Sequence, residues 1–331
     1  MKTTNKTILL LATVAALSSC NGKESFVQEF PKDVRCTVCV EGGPLTKATG
    51  VTVSEEDNIK DLQLFVFDES GVKEYYTDIK NSSSGDIVSK EGKKKIVAIV
   101  NAPEMGSINS LGQLMGNTSL LSDNTLGCMV MTGEADAVVQ SGGRITVPVT
   151  RIISKVSVRK ITASFNSSAL PGKELKVKSI YLINVAGDNN YSVTATPRLW
   201  YNKLSDGRND TGCNTFSLLS DPVNSVIQNK SSYTKEHCLF CYPNTVSDES
   251  FDSTWSPRHT MLVVDALLGG EQTYYPVELP VIGRNKCMII DELIITRKGS
   301  DYPYVPVTDG ECSISVQVVP WDVVLQHTET I

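Results

Sequence analysis

The strongest constraint on this chain is a period of two. From Val34 onward the sequence breaks into short runs rich in Val, Ile, Leu and aromatic residues, separated by clusters of Gly, Asn, Asp, Ser and Pro. Side chains alternate across a pleated strand, so such runs specify strands with one or both faces buried, and their close spacing specifies a sandwich and not a helical bundle. The strand readings are 34–40, 61–68, 95–101, 128–133, 144–149, 155–165, 175–185, 259–268, 274–281, 287–296 and 312–319. In Leu62-Gln63-Leu64-Phe65-Val66-Phe67, the residues Leu62, Leu64 and Val66 share one face while Phe65 and Phe67 take the other, which predicts cover on both sides. Helical signal is confined to 107–121, where Ile108, Leu111, Leu114 and Met115 follow helical spacing despite Gly112. The segments 187–213 and 219–234, rich in Asn, Asp, Gly and Ser, read as long surface loops. The expected class is all-β, a sandwich or a pair of them, with one short helix in the N-terminal half.

The start of the chain sets its compartment. Lys2 and Lys6 precede the apolar run 8–17, and Leu17-Ser18-Ser19-Cys20 closes it with small residues before a cysteine. A spanning helix needs about 20 apolar residues, so this run is a signal peptide of the lipoprotein kind, with Cys20 as the lipid-bearing residue. The polar stretch 21–33 reads as a tether. A boundary near 149–155 divides the remainder into an N-terminal sandwich over 34–150, whose first strand is 34–40, and a C-terminal sandwich over 151–331.

Charge and motif content narrow the chemistry. With 31 basic against 37 acidic residues and a net charge of −6, the chain lacks the basic excess of a nucleic-acid partner. It has 3 histidines, and H-E-x-x-H, G-x-S-x-G and the glycine-rich nucleotide motifs are absent, so neither an enzyme nor a bound cofactor is expected. The pair His237-Cys238 lies on one strand run, where neighbours face opposite ways. Two C-x-x-C spacings, Cys36 to Cys39 and Cys238 to Cys241, also sit in strand runs that set the two thiols on opposite faces. With Cys128, Cys213, Cys287 and Cys312 they read first as buried small side chains, with disulfides open to an exported protein and a metal site disfavoured by the long separation.

Several ordered segments carry a resemblance. The Leu17 to Cys20 box is followed by the strand Val34-Arg35-Cys36-Thr37-Val38-Cys39-Val40, a loop through Pro44-Leu45-Thr46-Lys47-Ala48-Thr49, and the strand 59–68. Then come Lys95-Ile96-Val97-Ala98-Ile99-Val100-Asn101-Ala102-Pro103, Met129-Val130-Met131-Thr132-Gly133-Glu134, the run 147–156, Arg284-Asn285, the run 293–299 and Val316-Gln317-Val318-Val319-Pro320-Trp321. In this order, over nearly the whole chain, they resemble the fimbrillin family, the shaft subunits of the type V fimbriae of Bacteroidales.

The resemblance implies two tandem Greek-key, transthyretin-like β-sandwich domains and an assembly mechanism. A trypsin-like or gingipain-like protease, specific for arginine or lysine, removes the first strand after the lipoprotein reaches the cell surface; the matching bond here is Lys47-Ala48. The opened groove is filled by the C-terminal strand of the next copy, for which Val323, Leu325 and His327 would share one face and Val324 and Gln326 the other. Partners are then other copies of the chain, fimbrial anchor and tip subunits, the protease, and the outer membrane through the lipid before processing. The cysteine count departs from a shaft subunit and keeps an anchor or tip role as the alternative. A further alternative is a monomeric surface lipoprotein that binds a glycan or host ligand by stacking sugars on Tyr191, Trp200 and Tyr201.

Overall fold

Strands form where the alternating runs lie. β1 (Asp33–Gly42), β2 (Asp61–Phe67), β3 (Lys73–Lys80), β4 (Ser84–Lys90) and β5 (Gly92–Val100) are followed by the helix α1 (Leu111–Gly116), β6 (Thr118–Leu120), β7 (Met131–Val139) and β8 (Arg144–Arg151). The second half opens with β9 (Ser154–Val158), β10 (Ile161–Ala163) and β11 (Leu175–Ile183), then the short β12 (Val185–Ala186), β13 (Asp188–Asn190), β14 (Trp200–Tyr201), β15 (Leu204–Ser205) and β16 (Arg208–Asn209). It continues with β17 (Ser220–Ile227), β18 (Ser231–Tyr233), β19 (His237–Cys241), β20 (Met261–Leu268), β21 (Glu271–Glu278), β22 (Lys286–Ile295) and β23 (Cys312–Pro320). The computed structural model describes residues 32–42, 58–165, 174–206, 208–209, 217–246, 255–307 and 312–321, all within the unit Lys32–Ile331.

The first half forms one seven-stranded sheet in the order β3-β2-β5-β7-β8-β1-β4. The second half forms a six-stranded sheet, β18-β10-β22-β9-β19 with β23 on the free side of β22, and a four-stranded sheet, β17-β11-β20-β21. The expected alternation on β2 holds. Leu62, Leu64 and Val66 enter a core with Cys36, Val38, Val40, Ile87 and Val147, while Phe65 and Phe67 join a larger core that runs through Ile152 and Val156 to Leu239 and Leu293. Gly133 of β7 leaves no room for a side chain beside β8: a Cβ there would lie 1.9 Å from the Pro148 carbonyl oxygen.

The structure corrects several boundaries. The helix is one turn and a half, not the whole of 107–121: Ser110 caps it by accepting from the Gln113 amide at 3.2 Å, and the Asn117 amide closes it on the Leu114 carbonyl at 3.1 Å. Gly112 and Gly116 weaken any longer helix, and the chain turns into β6, which pairs with β13. The segment 219–234 holds β17 and β18 in place of a loop; Pro222 is tolerated because β17 is an edge strand of its sheet. The run 155–165 splits into β9 and β10, and the run 128–133 becomes a strand only from Met131. β3 and β4 carry too few apolar residues to alternate visibly.

A charged cluster ties β3, β4 and β5 together. Glu74 accepts from Ser89 Oγ at 2.6 Å and from Lys94 Nζ at 2.9 Å. Burial by itself would raise the Glu74 pKa, but these two donors outweigh it and hold the carboxyl below its ordinary value. A depressed carboxylate contributes stability that is present above its unfolded pKa and disappears as pH falls through the folded one. Glu74→Gln is expected to destabilise the protein by about 1–2 kcal/mol at neutral pH. Urea unfolding at successive pH values should show the gap from wild type closing below the usual carboxylate range.

Candidate assembly site

β1 sits between two other strands of the first sheet. It runs parallel to β8, with Thr37 beside Arg144 and Gly42 beside Val149, and antiparallel to β4, with Asp33 beside Lys90 and Cys39 beside Ser84. Among the described residues β1 is the only sheet partner of β4. Cys36, Val38 and Val40 point into the core of the first half, each no more than 5% exposed. Polar contacts fix the register. The Thr37 amide donates to the Gly143 carbonyl at 2.9 Å, the Val40 amide donates to Ser83 at 2.8 Å, and the Gly142 amide donates to Arg35 at 3.0 Å. Thr37 Oγ1 donates to Asp86 at 2.8 Å, and Cys36 Sγ donates to the Gly143 carbonyl at 3.2 Å. Burial first, then the charge of Asp86, pushes the Cys36 thiol above its usual range, so it stays protonated and inert.

Taking β1 out of this arrangement would leave facing strand edges on β4 and β8, with unpaired N–H and C=O groups above an apolar floor of Ile87, Ile145 and Val147. Only a replacement strand satisfies both. The sequence joins β1 to β2 through 43–60, and Lys47 and Ala48 fall in that connection. Cys20, Lys47, Ala48, Val323, Val324, Leu325 and His327 all lie outside the described residues.

At the other end, β23 pairs along the full length of β22 from Cys312 beside Ile295 to Pro320 beside Lys286. Trp321 follows and is 3% exposed. Its ring stacks on Phe240 at 5.8 Å, with the Arg151 guanidinium 4.5 Å and Lys155 Nζ 5.7 Å from its centroid. Its amide donates to the Asn285 carbonyl at 3.1 Å, and Arg151 Nη1 donates to Asn285 Oδ1 at 3.2 Å. The base of the C-terminal segment is thus fastened to the end of β8, the strand that flanks β1. In the sequence Trp321 only ends a pattern; its partners come from three separate stretches of chain, around 151–155, 240 and 285.

Other expected residues fall elsewhere. Trp200 is 7% and Tyr191 3% exposed, Trp200 packs edge-on against Trp255 at 5.4 Å, and Tyr201 is half-buried in the β12–β14 pair. Trp200 and Tyr191 thus expose little ring for stacking on a sugar, while Tyr201 keeps part of its surface accessible. His237 is buried and engages Asp221 through Nδ1 at 2.6 Å and the Tyr233 hydroxyl through Nε2 at 2.9 Å, so it is directed at those two groups and not at Cys238. Burial raises the Cys241 thiol to about 12. Among the described residues no three metal-ligating side chains gather, and no helix is long and apolar enough to cross a membrane.

No family model and no curated protein matches the sequence. Solved structures do match the fold. A protein assigned to cell adhesion from Bacteroides eggerthii superposes with a TM-score of 0.65 at 16% identity, covering 88% of this chain and 97% of that one. A fimbrilin from Porphyromonas gingivalis matches with a TM-score of 0.58 at 15% identity over 87% of this chain and 97% of its own. A tip fimbrial protein of the same organism, truncated at its C-terminus, matches at 0.53 and 12% identity over 88% and 100%. The chain has the all-β sandwich fold of the fimbrillins.

Proposed function

We propose that the chain is a structural subunit of cell-surface fimbriae, exported as a lipoprotein through Cys20, trimmed between Lys47 and Ala48, and polymerised by strand exchange in support of adhesion. The observation that carries this reading is the placement of β1: a strand paired with β4 from Asp33 to Cys39 and with β8 from Thr37 to Gly42, buried along Cys36, Val38 and Val40, and followed in the chain by the segment that contains Lys47. Strand addition into such a slot supplies ladder hydrogen bonds while alternate side chains enter the core. The likeness in fold to a fimbrilin, a tip fimbrial protein and a cell adhesion protein supports the same role. The segment 322–331 is the candidate donor, other copies of the chain and anchor or tip subunits are the partners, and a trypsin-like or gingipain-like protease is the processing activity.

The direct test is the N-terminal sequence and intact mass of the protein recovered from the native cell surface. The expected start is Ala48, with Cys20 and its lipid gone. A start at lipidated Cys20 would overturn the trimming step and assign the chain to an anchor or to a monomeric surface lipoprotein.

A further inference from the structure

Lys178 sits where β11 departs from regular pairing. On β20, Val177 is opposite Ala266 and Ser179 is opposite Asp265; on β17, Val177 is opposite Ser225 and Ser179 opposite Pro222, so Lys178 is an extra residue in both ladders. A bulge of this kind re-aims the side chain it carries. Here Lys178 Nζ lies 2.8 Å from Asp265 Oδ1 on β20 and donates to Gln272 Oε1 on β21 at 2.8 Å.

Gln272 is held in one orientation. Its Nε2 donates to Asp265 Oδ1 at 2.7 Å, to the Ala266 carbonyl at 3.1 Å and to the Thr273 carbonyl at 3.3 Å, so the amide nitrogen faces acceptors and the amide oxygen faces the lysine. A nitrogen donating to a carbonyl oxygen at this distance stands roughly 3–4 Å from the carbonyl carbon, close to the separation from which an amine attacks. Asp265 Oδ1 therefore touches both nitrogens of an amide exchange, the one that would arrive and the one that would leave. An ion pair needs only the first of these contacts. The Asp265 side chain is 9% exposed, which limits competition from water for its oxygens.

We propose that Lys178 and Gln272 become joined by an isopeptide bond, with Asp265 as the proton carrier. Asp265 takes a proton from the Lys178 ammonium, and the freed amine attacks Cδ of Gln272. Asp265 then gives its proton to Nε2 and takes the second one from Nζ. The Cδ–Nε2 bond breaks as the Nζ–Cδ bond is completed, and ammonia leaves, removing the last proton as ammonium. No oxidant, reductant or further reactant enters. The bond ties β11 to β21 across β20. It requires neither lipidation nor strand exchange, so its presence or absence says nothing about assembly.

Peptide mapping of the full chain by tandem mass spectrometry tests it. The expected result is a linked pair of peptides joining Lys178 to Gln272, lighter than the two together by about 17 Da, the mass of ammonia, with trypsin no longer cutting at Lys178. Asp265→Asn cannot carry the proton and should slow linkage by at least about a hundredfold, followed as the linked fraction in samples taken over time after synthesis. Circular dichroism checks that this variant is folded; if it is not, the wild-type map alone decides. Recovery of Lys178 and Gln272 from wild type only in unlinked peptides would overturn the proposal, and so would linkage of folded Asp265→Asn at the wild-type rate.

Discussion

Cells producing the Lys47→Ala chain are expected to display full-length, lipidated protein and to form filaments of it at a level lower by on the order of a hundredfold or more. Lys47→Arg should restore both trimming and filaments. The reason is the stability of β1 in its slot. Cys36, Val38 and Val40 are buried in the core, and at about 1.5–3 kcal/mol for each fully buried side chain their burial alone opposes release by about 5 kcal/mol. That corresponds to an open slot in roughly one molecule in several thousand. While the connection to β2 is intact, β1 also returns as an intramolecular ligand, at an effective concentration of about millimolar, which a neighbouring strand cannot match. Cutting at Lys47 removes that advantage, and the separated strand is diluted away. Arg35 does not substitute as a cleavage point: its side chain is exposed, but its backbone carbonyl accepts from Gly142 and its residues pair with β4. Filaments of Lys47→Ala indistinguishable from wild type by electron microscopy would sink the trimming model.

How far the sequence displays this molecule depends on how local each signal is. β2 was legible on both faces because Leu62, Leu64 and Val66 alternate with Phe65 and Phe67, and the two sets enter different cores. The opposite orientation of Cys36 and Cys39 followed from period 2 alone: Cys36 enters the core of the first half and Cys39 lies outside that cluster. β4 was invisible because Ser84-Gly85-Asp86-Ile87-Val88-Ser89-Lys90 owes its strand state to pairing with β1 and not to its own composition. The loops around Trp200 misled for the converse reason. Polar turn residues there surround aromatic side chains that fold inward, and burial at Trp200 is set by Trp255, a residue far away in sequence.

Trp321→Ala is expected to destabilise the chain by about 3–5 kcal/mol, the cost of emptying a large aromatic site in a packed core. The ring is 3% exposed, stacked on Phe240 and covered by Arg151 and Lys155, so its loss removes both apolar burial and two cation–π contacts. The consequence reaches beyond the C-terminal end. Arg151 closes β8, and β8 holds β1 in register from Arg144 to Val149, so loosening Arg151 loosens the strand beside the slot as well. Trp321→Phe keeps a ring for Phe240 to stack on and should retain most of the stability. Urea unfolding followed by circular dichroism measures the difference between the two variants directly. Hydrogen exchange at Thr37 and Val40, whose amides donate to Gly143 and Ser83, reports whether the loss propagates to β1. If Trp321→Ala unfolds within about 0.5 kcal/mol of wild type, the ring is a passenger and the C-terminal segment is not anchored there. If it is destabilised but exchange on β1 is unchanged, the clamp is local. Faster exchange on β1 would mean that the end of one strand and the seat of the other are held by the same residues, through β8.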